Sequence, residues 1–173
     1  MKRKKYILFV CWGGIIRSVT AEKYLKKLLE KRGILKDFSV HSASIQGSGN
    51  TPPTEHPRIQ DYKDAWADLK KPTEAYKIDI NDNVSTPITL KMIKEADVVF
   101  AMDRKVLEEY NDSLYNQFPR FKKKMHVFTE LDGNDEGIQD PYFMDSKHAR
   151  ANAIDEIVRI VSENADKIIE WTT

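Results

Sequence analysis

Apolar and polar positions along the chain follow two periods, and the first switch between them comes early. Tyr6, Ile7, Leu8, Phe9 and Val10 form an unbroken apolar run of the length of a buried strand. Beyond it, Ala21, Tyr24, Leu25, Leu28 and Leu29 recur at the i, i+3, i+4 spacing of an amphipathic helix, with Gly33 after Arg32 placed to end it. Phe38 to Ser44 alternates and predicts a second strand. Tyr62, Ala65, Trp66 and Leu69 predict a short helix over 62–69, which Lys70-Lys71-Pro72 should stop. Thr86-Pro87 reads as a helix start, a hydroxyl cap followed by proline, with Ile88, Met92, Ile93 and Ala96 as its apolar stripe. Asp97 to Ala101 is a buried strand, and Asp103 caps a helix with Val106, Leu107 and Tyr110 on its inner face. Met125 to Phe128 is the last strand. Ser146 caps a long final helix striped by Ala149, Ala153, Ile157, Val161, Ala165 and Ile168. Strands alternating with helices imply an α/β fold, a parallel sheet with helices on both faces. With no repeat, low-complexity tract or linker, the expectation is a single domain over 1–173.

The bulk properties narrow the function classes. Lys and Arg total 28 against 27 acidic residues, a net charge of +1, so no strong attraction to nucleic acid or to a membrane surface is expected. Lys2-Arg3-Lys4-Lys5 reads as a solvated flank of the first strand, and Lys122-Lys123-Lys124 as a solvated lead-in to the last. One cysteine allows no internal disulfide and suits a reducing compartment. No apolar run of about 18 residues is present, and no apolar signal core follows the charged start; a cytoplasmic location is expected. His41, His56, His126 and His148 are scattered, and Asp132, Asp135 and Glu136 lack the spacing of a calcium loop, so no metal site is predicted.

Chemistry concentrates between the first strand and the first helix, in Cys11-Trp12-Gly13-Gly14-Ile15-Ile16-Arg17-Ser18. Strand, glycine-bearing turn and helix N-terminus form a cradle for an oxyanion. The loop amides can point inward, and the helix start adds positive potential. A lone cysteine is often just a small buried hydrophobe. Here it ends the first strand, where open α/β sheets place their ligands, among donors that would stabilise a thiolate. Arg17 offers a planar fork for two phosphate oxygens, and Ser18 can donate to the sulfur. A thiolate under a bound phosphate is an in-line nucleophile, which points to phosphoryl transfer through a phosphocysteine.

Cys11-x5-Arg17-Ser18 followed by Ala21-Glu22, with Ser42-Ala43, Ala101-Met102-Asp103 and Asp140-Pro141-Tyr142 in order, resembles the low-molecular-weight protein tyrosine phosphatase family across nearly the whole chain. The resemblance implies a three-layer flavodoxin-like fold with a central four-stranded parallel sheet. It implies hydrolysis of phosphotyrosine without metal or other cofactor, with Cys11 as nucleophile and Asp140 as general acid and then base. Trp12 to Arg17 would bind phosphate through their amides, and Arg17 would clamp it. Pro141 would fix the backbone after Asp140, while Tyr142 and Phe143 shield its carboxyl and raise its pKa. Taken alone, Asp140-Pro141 would be a turn dipeptide. Trp12, Tyr142 and Phe143 would line a slot suited to an aryl ring. The expected partner is a phosphotyrosine-containing protein or a small aryl phosphate, the chain acting as a monomer or weak dimer.

The chain also departs from that family's pattern. Gly14 stands where asparagine usually braces the loop, so lost hydrogen bonds predict a looser loop. Ile16 replaces a second cysteine found in some members, Val19 a helix-starting proline, and Asn83 falls near the place of a supporting histidine. The segment from Gln46 to Lys71, rich in Gly47, Gly49, Pro52, Pro53 and Pro57, is longer than in the family and is expected to form one wall of the crevice, with Trp66 a candidate wall residue. Alternatives are an arsenate reductase-like enzyme, disfavoured because it needs resolving cysteines, a weakly active phosphotyrosine-binding module, and protein phosphotransfer.

Overall fold

The computed structural model describes residues 2–173. Four parallel strands, β1 (Lys5–Cys11), β2 (Phe38–Ser44), β3 (Val98–Ala101) and β4 (Met125–Val127), form one sheet in the order β2-β1-β3-β4. The period of two in β1 sorts its side chains onto the two faces. Ile7, Phe9 and Cys11 point into a core shared with α1 (Arg17–Lys31) and the long C-terminal α5 (Lys147–Glu170). Leu8 and Val10 point into a second core, shared with α3 (Leu90–Glu95) and α4 (Leu114–Gln117). This is the three-layer arrangement the alternating pattern implies. The order reverses about β1, with β2 on one side and β3 on the other. Such a switch point opens a crevice at the carboxyl ends of the strands, and Cys11 is the last residue of β1.

A third apolar cluster joins α1, α2 (Lys63–Ala75) and α5 through Val19, Leu69, Ile154 and Val158, and it includes Ile15 and Ile16 of the phosphate-loop sequence. It explains why α2 outruns the stop expected at Pro72. That proline lies inside the helix, one turn from its end, where it forfeits a single backbone bond. Leu69 and Thr73 are buried on either side of it, and Thr73 Oγ1 donates to the Leu69 carbonyl at 2.9 Å. Packing outweighs propensity here.

The helix start expected at Thr86-Pro87 also moves. Ser44 donates its N–H to the Thr86 carbonyl (2.8 Å) and accepts the Ile88 N–H (2.8 Å), so residues 86–88 extend alongside the end of β2. The helix begins only at Leu90, with Thr89 Oγ1 accepting the Met92 N–H. Elsewhere the caps fall as the sequence implies: Gly33 follows α1 at φ 72°, Ser146 caps α5, and Asp103 Oδ1 accepts the Val106 N–H at 2.8 Å ahead of a π turn, Lys105–Glu109.

Candidate active site

Cys11 is buried at the floor of a cavity of about 220 Å³ at the carboxyl end of the sheet. The Gly14 N–H donates to its sulfur at 3.2 Å, and the sulfur and the Ser18 hydroxyl share a hydrogen bond at 3.1 Å. No side chain caps α1, and its first bonded amide is Thr20 to the Ile16 carbonyl. The N–H groups of Arg17, Ser18 and Val19 therefore have no partner within the helix and mark an anion-binding end.

Gly14 holds the loop in a left-handed turn at φ 61°, and a Cβ built there would stand 2.8 Å from Ser44 Cβ. The asparagine expected from the resemblance has no room at this position. Nor is the loop left unbraced. Asn83 Nδ2 donates to the Gly14 carbonyl (3.1 Å) and Ser85 Oγ to the Gly13 carbonyl (2.6 Å), so the hydrogen bonds come from outside the loop.

Arg17 is 2 % exposed. Nη1 donates to Asp103 Oδ2 and to the Ile138 carbonyl (2.8 Å), while Nη2 lies 3.3 Å from Asp140 Oδ2. Burial alone would lower its pKa. The charges of Cys11, Asp140 and Asp103 more than offset this, and the pKa is raised. The guanidinium is a permanent cation among the residues lining the pocket.

Asp140 lines the same cavity, but its surroundings differ from the apolar shield expected. Its Oδ1 accepts the Tyr142 N–H (3.1 Å) and so caps the short turn Pro141–Phe143. That turn swings both rings outward, leaving Tyr142 48 % and Phe143 70 % exposed. The carboxyl faces Arg17 instead.

Of the residues singled out in the sequence, Cys11, Trp12, Gly13, Ile15, Ile16, Arg17, Asp140, Tyr142 and Phe143 line the cavity together. Gly14 and Ser18 sit behind the sulfur. Trp12 packs against Tyr110, ring centres 4.6 Å apart. The stretch from Gln46 to Lys71 contributes a wall, through Gln46 and Tyr62 rather than Trp66, which packs against the third apolar cluster behind it. Tyr62 looks in sequence like one more member of a helical stripe. Its place just before α2 turns it to the pocket, edge-on to Tyr142 at 5.3 Å. Asp103 had a weak sequence signal, a carboxylate two residues beyond a buried strand, and read only as a cap.

Comparison with known proteins places this geometry in context. Residues 6–170 match the family described as low molecular weight phosphotyrosine protein phosphatase. A protein-arginine-phosphatase of Bacillus subtilis is 27 % identical over 164 residues, covering 93 % of this chain and 97 % of that protein. The human low molecular weight phosphotyrosine protein phosphatase is 30 % identical over 142 residues, 80 % of each chain. The crystal structure of a low molecular weight protein tyrosine phosphatase from T. tengcongensis superposes with a TM-score of 0.72 at 24 % identity, over 95 % of this chain and 99 % of that one, which speaks for the fold. A match running from the first strand to the last helix, around a loop of this shape, makes the chain a member of the low molecular weight phosphotyrosine protein phosphatase family.

Proposed function

We propose that the chain hydrolyses aryl phosphate monoesters, phosphotyrosine in proteins above all, through a phosphocysteine. The observation that carries this reading is the convergence on one small cavity of a buried sulfur bonded by the Gly14 N–H and the Ser18 hydroxyl, a cationic fork and a carboxyl. The amides of residues 12–17 and the Arg17 fork hold the equatorial oxygens. Cys11 Sγ attacks phosphorus, the bond to the aryl oxygen breaks, and Asp140 gives its proton to the leaving oxygen. Arg17 turns from Asp140 to the incoming dianion. In the second step Asp140 takes a proton from water, the oxygen bonds to phosphorus, and the S–P bond breaks to release inorganic phosphate.

Substrate class is the finer question, because one relative is named a protein-arginine-phosphatase. Most of the wall is Trp12, Ile15, Ile16, Tyr62, Tyr142 and Phe143, with Gln46 and Asp140 as its side-chain acceptors. Apolar and aromatic walls suit a phenyl ring, whereas a phosphoguanidinium would have to place its remaining N–H groups on Gln46, Asp140 being taken up by proton transfer. Side-by-side turnover of a phosphotyrosine peptide and a phosphoarginine peptide of matched sequence tests the assignment. A preference for phosphotyrosine is expected, and a preference for phosphoarginine overturns it. Turnover should persist in EDTA and be inhibited by vanadate. Cys11→Ser should bind phosphate without hydrolysing substrate, and phosphopeptide binding without turnover by the intact chain would establish the binding-module alternative.

A further inference from the structure

Arg150 lies on α5 outside the cavity wall, yet it grips the loop that carries Asp140. Its Nε donates to the Pro141 carbonyl at 3.1 Å, and its Nη1 lies 2.7 Å from Asp68 Oδ2 on α2. The pair is largely shielded, with side-chain exposures of 13 % and 24 %. One guanidinium thus ties together α5, α2 and the Pro141–Tyr142 peptide unit, whose N–H bonds the Asp140 carboxyl. At the other end of the same turn Tyr142 rests edge-on against Tyr62, so both supports of the loop run to the 62–75 segment.

We propose that Arg150, oriented by Asp68, is a positioning residue for Asp140 and governs proton delivery to the leaving group. This rests on the reading of Asp140 as the general acid. The Asp140 carboxyl has two direct holds, Arg17 and the Tyr142 N–H. A phosphate dianion in the loop draws Arg17 away and removes one of them. The tether at Pro141 then fixes the backbone from which the carboxyl reaches the departing oxygen. Arginine suits the task because its rigid fork serves a carbonyl and a carboxylate at once, which a lysine ammonium on a flexible stem does not. Displacement of a reacting group by about 1 Å costs on the order of a hundredfold in rate, so a modest slackening is measurable.

The experiment compares Arg150→Lys, Asp68→Asn and Asp140→Asn on two substrates, phenyl phosphate, whose leaving oxygen needs a proton, and dinitrophenyl phosphate, whose leaving group departs as the anion. Arg150→Lys should lower kcat/KM, which reports only the steps up to departure of the leaving group, about tenfold or more on phenyl phosphate while changing it by no more than about twofold on dinitrophenyl phosphate. Asp68→Asn should shift the ratio in the same direction by less, and Asp140→Asn by more. Should Arg150→Lys fold poorly, Asp68→Asn, on a partly exposed position, carries the comparison. If Asp140→Asn shows the leaving-group dependence in kcat/KM and neither tether variant does, or if the tether variants lower kcat/KM equally on both substrates, the positioning role is wrong. If Asp140→Asn lacks the dependence, the acid assignment itself fails and the tether falls with it.

Discussion

Replacing Gly14 by alanine should be costly, and a partner substitution should recover a calculable part of the loss. At φ 61° an alanine enters the left-handed region, at about 1–2 kcal/mol. Its Cβ would also stand 2.8 Å from Ser44 Cβ and 3.3 Å from the backbone of Ala43 and Ser44, an overpacking that costs about 1–3 kcal/mol where neighbours cannot retreat. They cannot retreat easily. Ser44 is held by backbone bonds to Thr86 and Ile88, and Ala43 by its pairing in the sheet. A stiffer unfolded chain returns about 0.4–1 kcal/mol, leaving a net loss of about 1–5 kcal/mol. For a chain of this size that lowers the melting temperature by about 2–20 °C. Chemical denaturation of Gly14→Ala, Ser44→Gly and the double variant separates the terms. Ser44→Gly alone loses the Ser44 Oγ bond to the Gln46 carbonyl, yet in the double variant it removes the side-chain clash while leaving the φ strain. The cycle should show a favourable coupling of about 1–3 kcal/mol. A neutral Gly14→Ala, or a coupling near zero, would refute the argument that space as well as φ dictates glycine here.

Asp103→Ala should free one arm of Arg17 and reduce kcat/KM on aryl phosphates by about 10²-fold or more, with vanadate binding weakened in parallel; unchanged anion affinity would show that the Ile138 carbonyl alone suffices. Asn83→Ala should cost about 1 kcal/mol of stability and loosen the phosphate loop, seen as faster amide exchange of Gly13 to Ile15, and protection equal to the parent would contradict a bracing role. The Tyr76 phenol, bonded to Asp155, has its pKa raised from 10.0 to about 12. A raised folded-state pKa means that this contribution is intact below pH 10 and is lost as pH climbs toward about 12. Tyr76→Phe should therefore flatten the alkaline fall in stability over that window, by well under the full value because the pair is solvent-facing, and an identical alkaline profile would count against the coupling.

What could be read from the chain, and what could not, divides by the range of the forces involved. β1, the turn after it and α1 were legible because a buried strand and an amphipathic helix impose their periods locally, and the turn chemistry lies in consecutive residues. The Ser146 cap and the Gly33 stop were legible for the same reason. The extension of α2 past Pro72 was not, because it depends on Leu69 and Tyr76 packing on the third apolar cluster and on the burial of Thr73 between them. The shift of the helix start from Thr86 to Thr89 depends on Ser44, far away in the chain, claiming the intervening backbone. In the site, the loop could be named residue by residue. Tyr62 and the grip of Asp103 on Arg17 follow from which way a side chain turns once the layers have docked, and no period carries that information. The aromatic shield over Asp140 failed for a local reason, since the turn it caps points the rings to water.

The bracing of the loop by Asn83 and Ser85 also bears on how the protein comes into being. Those contacts close circuits of 69 and 72 residues, so the cradle for phosphate cannot be completed while the intervening stretch is still unmade or undocked. Loops closed over such distances form late, because the chain loses freedom before any contact repays it. A half-folded or half-synthesised chain thus possesses the sulfur and the arginine without the vessel that would make them reactive together. Helical signal should return first during renaturation, and catalytic competence should arrive only with the final consolidation of the crevice.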